Sequence, residues 1–131
     1  MTGVQTCALP ILKAGVAVAC LTRYQDLIDA QGLKHHGIYY YVPGMLRHFD
    51  TEAVVALAAP RALLCMNGGE DHGSPTTGIR KIEAAAAPAW KLYGRPAEFR
   101  SEVFPGIGHE YTQVMWKQML EWMDAHLQPR P

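Results

Sequence analysis

The amino-acid sequence predicts an α/β fold in which helices flank a parallel sheet of about three strands. Two short apolar runs without polar alternation, at residues 14–21 and 61–68, are typical of strands that are buried on both faces. A segment with helical periodicity follows on the chain after each predicted strand, and such alternation favours parallel pairing. The chain has 131 residues, 49% of them hydrophobic, so it can bury the core of one domain or of part of one.

The first half of the chain contains two predicted strands and one predicted helix. Residues 14–21 read AGVAVACL, which contains neither charge nor proline. The helix is predicted over residues 51–59, where Asp50 or Thr51 can act as N-cap and Pro60 ends the helix. The second strand follows at once, over residues 61–68, and ends in Asn-Gly.

The second half of the chain adds two helices and a third strand. Apolar residues recur at helical spacing over residues 79–93, and Gly94 is placed to end that helix. Residues 98–104 mix polar and apolar side chains, as is typical of an edge strand. The last helix carries a row of methionines with flanking large apolar residues, which favours core packing over a cofactor site; these are Met115, Met119 and Met123, with Trp116, Leu120 and Leu127 beside them.

Composition excludes several classes of function. Twelve basic residues balance twelve acidic ones, so no nucleic-acid partner is expected. No apolar run approaches the roughly 18 residues of a membrane span, and no membrane association is expected. Three cysteines, Cys7, Cys20 and Cys65, are odd in number and lack CxxC spacing, so neither a zinc site nor a disulfide framework is expected. The cellular compartment stays open.

Residues 1–11 do not fit the pattern of the remaining chain. They read MTGVQTCALPI and interrupt any period with glycine, threonine and proline. This stretch resembles the conceptual translation of a sequencing-library adapter, so we expect a non-native leader. An irregular natural tail is the alternative.

Two titratable residues follow neighbouring predicted strands. Asp71 comes directly after the second strand in NGGEDHGSP, and His109 follows the third strand in PGIGHEY. Because the carboxyl ends of parallel strands meet at one edge of the sheet, the two side chains are expected to lie within hydrogen-bond reach. An acid followed by a histidine matches two thirds of a nucleophile, acid and base relay. The alternatives are that Asp71 only forms a turn and that His109 only caps the last helix.

With these motifs in place, residues 13–127 resemble the C-terminal half of an α/β-hydrolase of the dienelactone hydrolase and acetyl xylan esterase type. The segments that carry the resemblance are HHGIYYYVPGML, APRALLCMNGGED and FPGIGHEYT. The resemblance implies that residues 12–131 form the C-terminal part of an α/β-hydrolase domain, with Asp71 as catalytic acid and His109 as catalytic base. It also implies a small-molecule or carbohydrate carboxylic ester as substrate, without metal or cofactor.

The sequence departs from that family at the nucleophile. No G-x-S-x-G segment is present, and neither Ser74 nor Ser101 has the context of a nucleophile elbow. Cys20 and Cys65 lie within predicted apolar strands, where an inert buried thiol is expected. The nucleophile and the oxyanion hole are therefore expected upstream of this chain, and the chain alone is expected to be inactive.

Other polar and aromatic residues have a purely structural interpretation as well as a functional one. His35 and His36 are adjacent, so they point apart and make a poor metal pair. The three tyrosines over residues 39–41 either line a substrate pocket or cover the edge of the sheet. Arg23 either orients a substrate or pairs on the surface with Asp26 and Asp29.

Three functions stay open at this point. The chain is the acid and base half of a serine esterase, part of a serine peptidase with the same relay, or a non-catalytic α/β binding module. The strand over residues 14–21 would lose one neighbour in the absence of the upstream part. Self-association through that exposed strand edge is therefore expected.

Overall fold

A computed structural model describes residues 12–127 of the chain, and the predicted leader lies outside the described residues. The described part contains one sheet of three parallel strands in the order β1-β2-β3. The strands are β1 (Ala14–Val18), β2 (Ala62–Gly68) and β3 (Phe99–Phe104). All seven residues of β2 are buried, as expected for the central strand. The predicted three-stranded parallel sheet is thus confirmed, with β3 at an edge of the described sheet.

Four α-helices accompany the sheet in residues 12–127. They are α1 (Tyr24–Asp29), α2 (Thr51–Ala56), α3 (Thr76–Leu92) and α4 (Gln113–Leu127). Short 3-10 turns fill the long β1 to α2 connection and precede β3, at Gly32–His35, Ile38–Tyr40, Met45–Arg47 and Pro96–Glu98. Neither α1 nor these turns were predicted from the sequence, because they are too short to display helical periodicity; α2 is equally short, but it was predicted from its N-cap and Pro60.

Some predicted boundaries are wrong. The first strand ends at Val18 and not at residue 21, because Ala19 turns the chain with a φ of +51°. Helix α2 ends at Ala56, before Pro60, and α3 begins at Thr76, one turn earlier than predicted. Gly94 has a φ of +68° directly beyond α3, as a helix-ending glycine should.

Apolar side chains pack on both faces of the sheet. On one face, α2 and α3 cover β2 with a cluster that includes Leu63, Cys65 and Trp90. The Trp90 indole stacks on Phe99 and donates its N–H to the Arg61 carbonyl at 2.9 Å. A second cluster, on the opposite face, lies under α4.

The methionine row of α4 is only partly a core stripe. Met115 is fully buried and Met119 packs beside it. Trp116, Leu120 and Leu127, which the sequence pattern placed with the row, are exposed. Helix α4 therefore presents one apolar face to the sheet and a second one to the solvent.

Asp50 joins the N-termini of α1 and α2. Its carboxylate accepts hydrogen bonds from the backbone N–H groups of Tyr24, Gln25 and Thr51 at 2.9, 3.0 and 2.7 Å. Burial alone would raise the pKa of Asp50, but these three donors and the charge of Arg23 lower it below its ordinary value. The predicted N-cap is confirmed, and it serves two helices.

Strand β1 forms an edge of the described sheet. The Lys13 carbonyl accepts from the Ala62 N–H, and the Ala19 N–H donates to the Met66 carbonyl. The N–H and C=O groups of the odd-numbered residues over 13–19 therefore face β2. Because the backbone N–H and C=O groups of successive residues point to opposite sides of a strand, those of Ala14, Val16 and Val18 point away from β2.

None of the described helices has the length and apolar character needed to cross a membrane.

Candidate active site

The loop after β2 and the loop after β3 are joined by backbone hydrogen bonds. The Gly69 N–H donates to the Phe104 carbonyl and the Glu70 N–H to the Ile107 carbonyl, both at 2.8 Å. These bonds extend the pairing of β2 with β3 beyond the ends of the strands. Gly68 permits the close approach, because a Cβ at this position would lie 2.1 Å from the Gly108 oxygen. Gly106, with a φ of +72°, supplies the turn that brings the second loop back.

Asp71 and His109 meet where these loops converge. His109 Nδ1 lies 2.8 Å from Asp71 Oδ2. The prediction that the two side chains share one edge of the sheet within hydrogen-bond reach is therefore confirmed. An ionised carboxylate can only accept a hydrogen bond, so Nδ1 carries the proton and Nε2 is the basic nitrogen of the neutral ring. The Asp71 side chain is 3% exposed, whereas that of His109 is 69% exposed, which suits a buried acid behind an accessible base.

The structure also bears on the alternative interpretations of these two residues, a turn-forming Asp71 and a helix-capping His109. Asp71 Oδ1 accepts the Gly73 N–H at 2.8 Å, so Asp71 does form a turn, while its second oxygen is bound to the histidine. His109 does not cap the last helix. That helix begins at Gln113, and Thr112 Oγ1 accepts the Met115 N–H at 3.3 Å.

A groove of about 650 Å³ opens beside His109. It lies over the carboxyl ends of β1 and β2, the usual place for a ligand in a parallel sheet. Polar and aromatic side chains line it, among them Cys20, His36, Tyr39, Tyr40, His72 and His109. A second cleft of about 550 Å³ adjoins it and shares His35, Glu70, Asp71 and His72 with the groove.

The expectation that Cys20 is buried in a strand is wrong. Because β1 ends at Val18, Cys20 lies beyond the strand, exposed and on the wall of the groove. Cys65 does behave as expected, since it is buried in β2 and burial raises the pKa of its thiol to about 12.

Neither serine lies on the wall of the groove. Ser74 is buried, and its hydroxyl lies 2.8 Å from Thr22 Oγ1. Ser101 lies within β3, and its buried hydroxyl has no hydrogen-bond partner among the described residues. These environments agree with the lack of elbow context in the sequence.

The adjacent histidines have separate partners. His36 Nε2 lies 2.7 Å from the Gly73 carbonyl, and its ring stacks on Tyr40 with centroids 4.1 Å apart. His35 stacks on His72 instead, at 5.9 Å. Among the described residues, no group of three or more histidine, cysteine or acidic side chains is arranged to hold a metal ion.

The three tyrosines also differ from one another. Tyr39 lies on the groove with 89% of its surface exposed. Tyr40 is half-buried, and burial raises the pKa of its phenol to about 12, so the ring on which His36 stacks is uncharged. Tyr41 donates its hydroxyl to the Leu33 carbonyl at 2.7 Å.

Arg23 belongs to an ion-pair cluster and not to the groove. It contacts Asp26 at 2.9 Å and Glu52 at 3.1 Å. The hydrogen bond to Glu52 raises the pKa of Arg23 further. The expectation that Arg23 also pairs with Asp29 is wrong, because Asp29 accepts a hydrogen bond from Gln25 Nε2, one helical turn away.

Sequence reasoning missed the residues that hold the loop after β2, which contains Asp71 and Gly73, in place. Thr22 donates its hydroxyl to the Gly73 carbonyl at 2.8 Å, across 51 positions of sequence. A threonine directly after an apolar run does not indicate such a long-range hydrogen bond. The adjacent His35 and His36 suggested only a metal site.

Known proteins that are similar to the chain are hydrolases and esterases. No protein-family model matches the chain. "Putative hydrolase YtaP" of Bacillus subtilis (strain 168) is 30% identical over 116 residues, which cover 88% of this chain and 38% of the relative. The chain therefore spans well under half the length of this curated relative.

Two solved structures are similar in fold. A glucuronoyl esterase from Solibacter usitatus is 27% identical with a TM-score of 0.51, over 59% of this chain and 23% of that one. The catalytic domain of a glucuronoyl esterase from Hypocrea jecorina is 16% identical with a TM-score of 0.71, over 96% of this chain and 41% of that one. The described residues thus have part of an α/β-hydrolase-like fold.

Proposed function

We propose that Asp71 and His109 are the acid and the base of a serine hydrolase that cleaves carboxylic esters. The observation that carries this proposal is the 2.8 Å contact between Asp71 Oδ2 and His109 Nδ1, with the histidine exposed on a groove. The resemblance to dienelactone hydrolases and acetyl xylan esterases supports the same roles.

In this mechanism, His109 Nε2 takes the proton from a serine hydroxyl as that hydroxyl attacks the ester carbonyl. Buried Asp71 fixes the ring tautomer and stabilises the imidazolium that forms. The same imidazolium then gives its proton to the leaving alcohol. An acyl-enzyme results, and water hydrolyses it with His109 again as base.

The nucleophile and the oxyanion hole come from a segment outside this chain. Three findings support this for the nucleophile: the sequence has no G-x-S-x-G segment, Ser74 is buried against Thr22, and Ser101 lies within β3. The chain alone should therefore hydrolyse a small activated ester no faster than free imidazole does. Turnover that disappears in a Ser74→Ala variant would identify Ser74 as the nucleophile and contradict the proposal.

The substrate class that we propose is an ester linked to a carbohydrate. The similarity to glucuronoyl esterases supports it, and so does Tyr39 on the groove beside His109. Its ring lies against Gly37, where a Cβ would collide with the ring atoms, and most of its surface is left to the solvent. An amphipathic ring exposed in this way can receive the apolar face of a sugar.

Binding of a sugar ester can be measured without turnover. Titration of the methyl ester of glucuronic acid should shift NMR signals of Tyr39 and His109, and Tyr39→Ala should abolish the shift of the His109 signals. Ile38→Ala is the matched control, because Ile38 is the adjacent residue, is 90% exposed and is absent from the groove lining. No shifts in the unsubstituted chain, or equal losses in both variants, would contradict a sugar-binding groove.

A further inference from the structure

The orientation of Asp71 depends on Gly73. One carboxylate oxygen of Asp71 faces His109, and the other accepts the Gly73 N–H at 2.8 Å. The Gly73 N–H therefore helps to fix the rotation of the carboxylate, together with the contact to His109. Glycine is the residue with the greatest conformational freedom, so its position has to be held by other groups.

Two side chains hold the carbonyl of Gly73. Thr22 Oγ1 lies 2.8 Å and His36 Nε2 2.7 Å from the Gly73 oxygen. A carbonyl oxygen can only accept, so His36 carries a proton on Nε2 and donates it. The single hydroxyl proton of Thr22 is used here as well, so it is Ser74 that donates to Thr22 in their 2.8 Å contact.

Both donors are fixed by their own surroundings. Thr22 is 1% exposed, in the segment between β1 and α1. The His36 ring lies nearly parallel to Tyr40, at an interplanar angle of 13°. Gly73 also lies close to both side chains, because a Cβ at this position would come within 3.2 Å of Asp71 Oδ1 and 3.3 Å of His36 Nε2.

We propose that His36 and Thr22 are positioning residues for the acid–base pair, acting through the Gly73 carbonyl and the Gly73 N–H on Asp71. The catalytic importance of this positioning rests on the proposed function. The positioning itself can be tested without activity, because it should affect a measurable property of His109. That property is the tautomer of the neutral ring, which the bond to Asp71 holds in the Nδ1–H form.

The test measures the ring ¹⁵N shifts of His109 by long-range ¹H–¹⁵N correlation, at a pH where titration shows the ring to be neutral. In the unsubstituted chain we expect the Nδ1–H tautomer, and in Asp71→Ala its loss. His36→Ala and Thr22→Val should each lose the Nδ1–H preference although circular dichroism shows a folded chain. A role confined to stability would leave the tautomer unchanged.

Matched variants identify the contacts responsible. His36→Gln and Thr22→Ser each keep a donor and should restore the Nδ1–H form. His35→Ala removes the neighbouring histidine, which stacks on His72, and should have no effect. If Thr22→Val fails to fold, the comparison of His36→Ala with His35→Ala decides the question.

The possible outcomes separate the two proposals. An unchanged tautomer in His36→Ala and Thr22→Val, beside a clear change in Asp71→Ala, overturns the positioning role and leaves the acid–base pair intact. If the unsubstituted chain itself lacks the Nδ1–H tautomer, the pairing of Asp71 with His109 fails, and the positioning role fails with it.

Discussion

Replacing Gly68 by alanine should separate Asp71 from His109 without changing either residue. The added Cβ would lie 2.1 Å from the Gly108 oxygen and 2.3 Å from the Ile107 oxygen, and real Cβ atoms essentially never come closer than 3.0 Å. Both of these neighbours are backbone atoms, so the loop after β3 has to retreat as a unit. Reaching 3.0 Å from 2.1 Å requires a shift of about 0.9 Å.

A shift of this size matters because His109 follows Gly108 directly. A retreat along the line from Oδ2 to Nδ1 would lengthen the present 2.8 Å to about 3.7 Å, which is beyond hydrogen-bond range. The loop bonds from Gly69 and Glu70 are strained as well, and losing two backbone hydrogen bonds costs about 1 to 3 kcal/mol of unfolding free energy.

Urea unfolding and the ¹⁵N shifts of His109 measure these two effects in the same samples. Gly108→Ala is the control, because a Cβ at position 108 meets nothing within 4 Å, and its unfolding free energy should stay within about 0.5 kcal/mol of the unsubstituted value. If Gly68→Ala matches Gly108→Ala in both stability and tautomer, then the close approach of the two loops does not position the pair, and the reasoning is refuted.

Three further predictions concern other parts of the molecule. Because its folded pKa is lowered, Asp50 contributes stability above its unfolded pKa of about 3.9, and that contribution is lost as the pH falls through the folded value. Asp50→Asn should therefore lower the unfolding free energy by about 1 to 3 kcal/mol at pH 7 and reduce its dependence on pH in the acid range. An unchanged acid dependence in Asp50→Asn would contradict this assignment. Peptide mapping after treatment of the native chain with iodoacetamide at pH 8 should find Cys20 alkylated and Cys65 protected until denaturant is added, and equal labelling would contradict the burial of Cys65. We expect the chain to self-associate through the edge of β1, and light scattering after size exclusion should show a dimer or a larger species. Val16→Pro removes an N–H that faces away from β2, so this variant should be monomeric. A monomeric unsubstituted chain would count against this edge as an interface.

The sheet and the contact between Asp71 and His109 could be predicted from the sequence because both depend on local patterns. Central β2 reads as a continuous apolar run, and it is followed at once by the glycine-rich turn that contains Asp71. His109 has the same relation to β3. The parallel arrangement then brings two residues 38 positions apart to one edge, and the sequence order alone is enough to infer it.

The supports of the site could not be predicted in the same way. The bonds of Thr22 and His36 to the Gly73 carbonyl depend on the path of a long connection built from short 3-10 turns, which carry no periodic signal. The exposure of Cys20 depends on a single residue, Ala19, with a positive φ. Alanine rarely adopts this conformation, so composition gave no reason to end the strand there.

The proposed function requires that His109, oriented by Asp71, is the general base of an ester hydrolase. The most direct test joins residues 12–131 to the nucleophile-bearing segment that the proposed function requires and measures kcat/KM for a glucuronate methyl ester with and without His109→Ala. The proposed mechanism predicts that this substitution lowers kcat/KM by about 10³-fold or more while the protein stays folded. A decrease of less than about tenfold would mean that another residue takes the proton from the nucleophile, and it would contradict the assignment of His109.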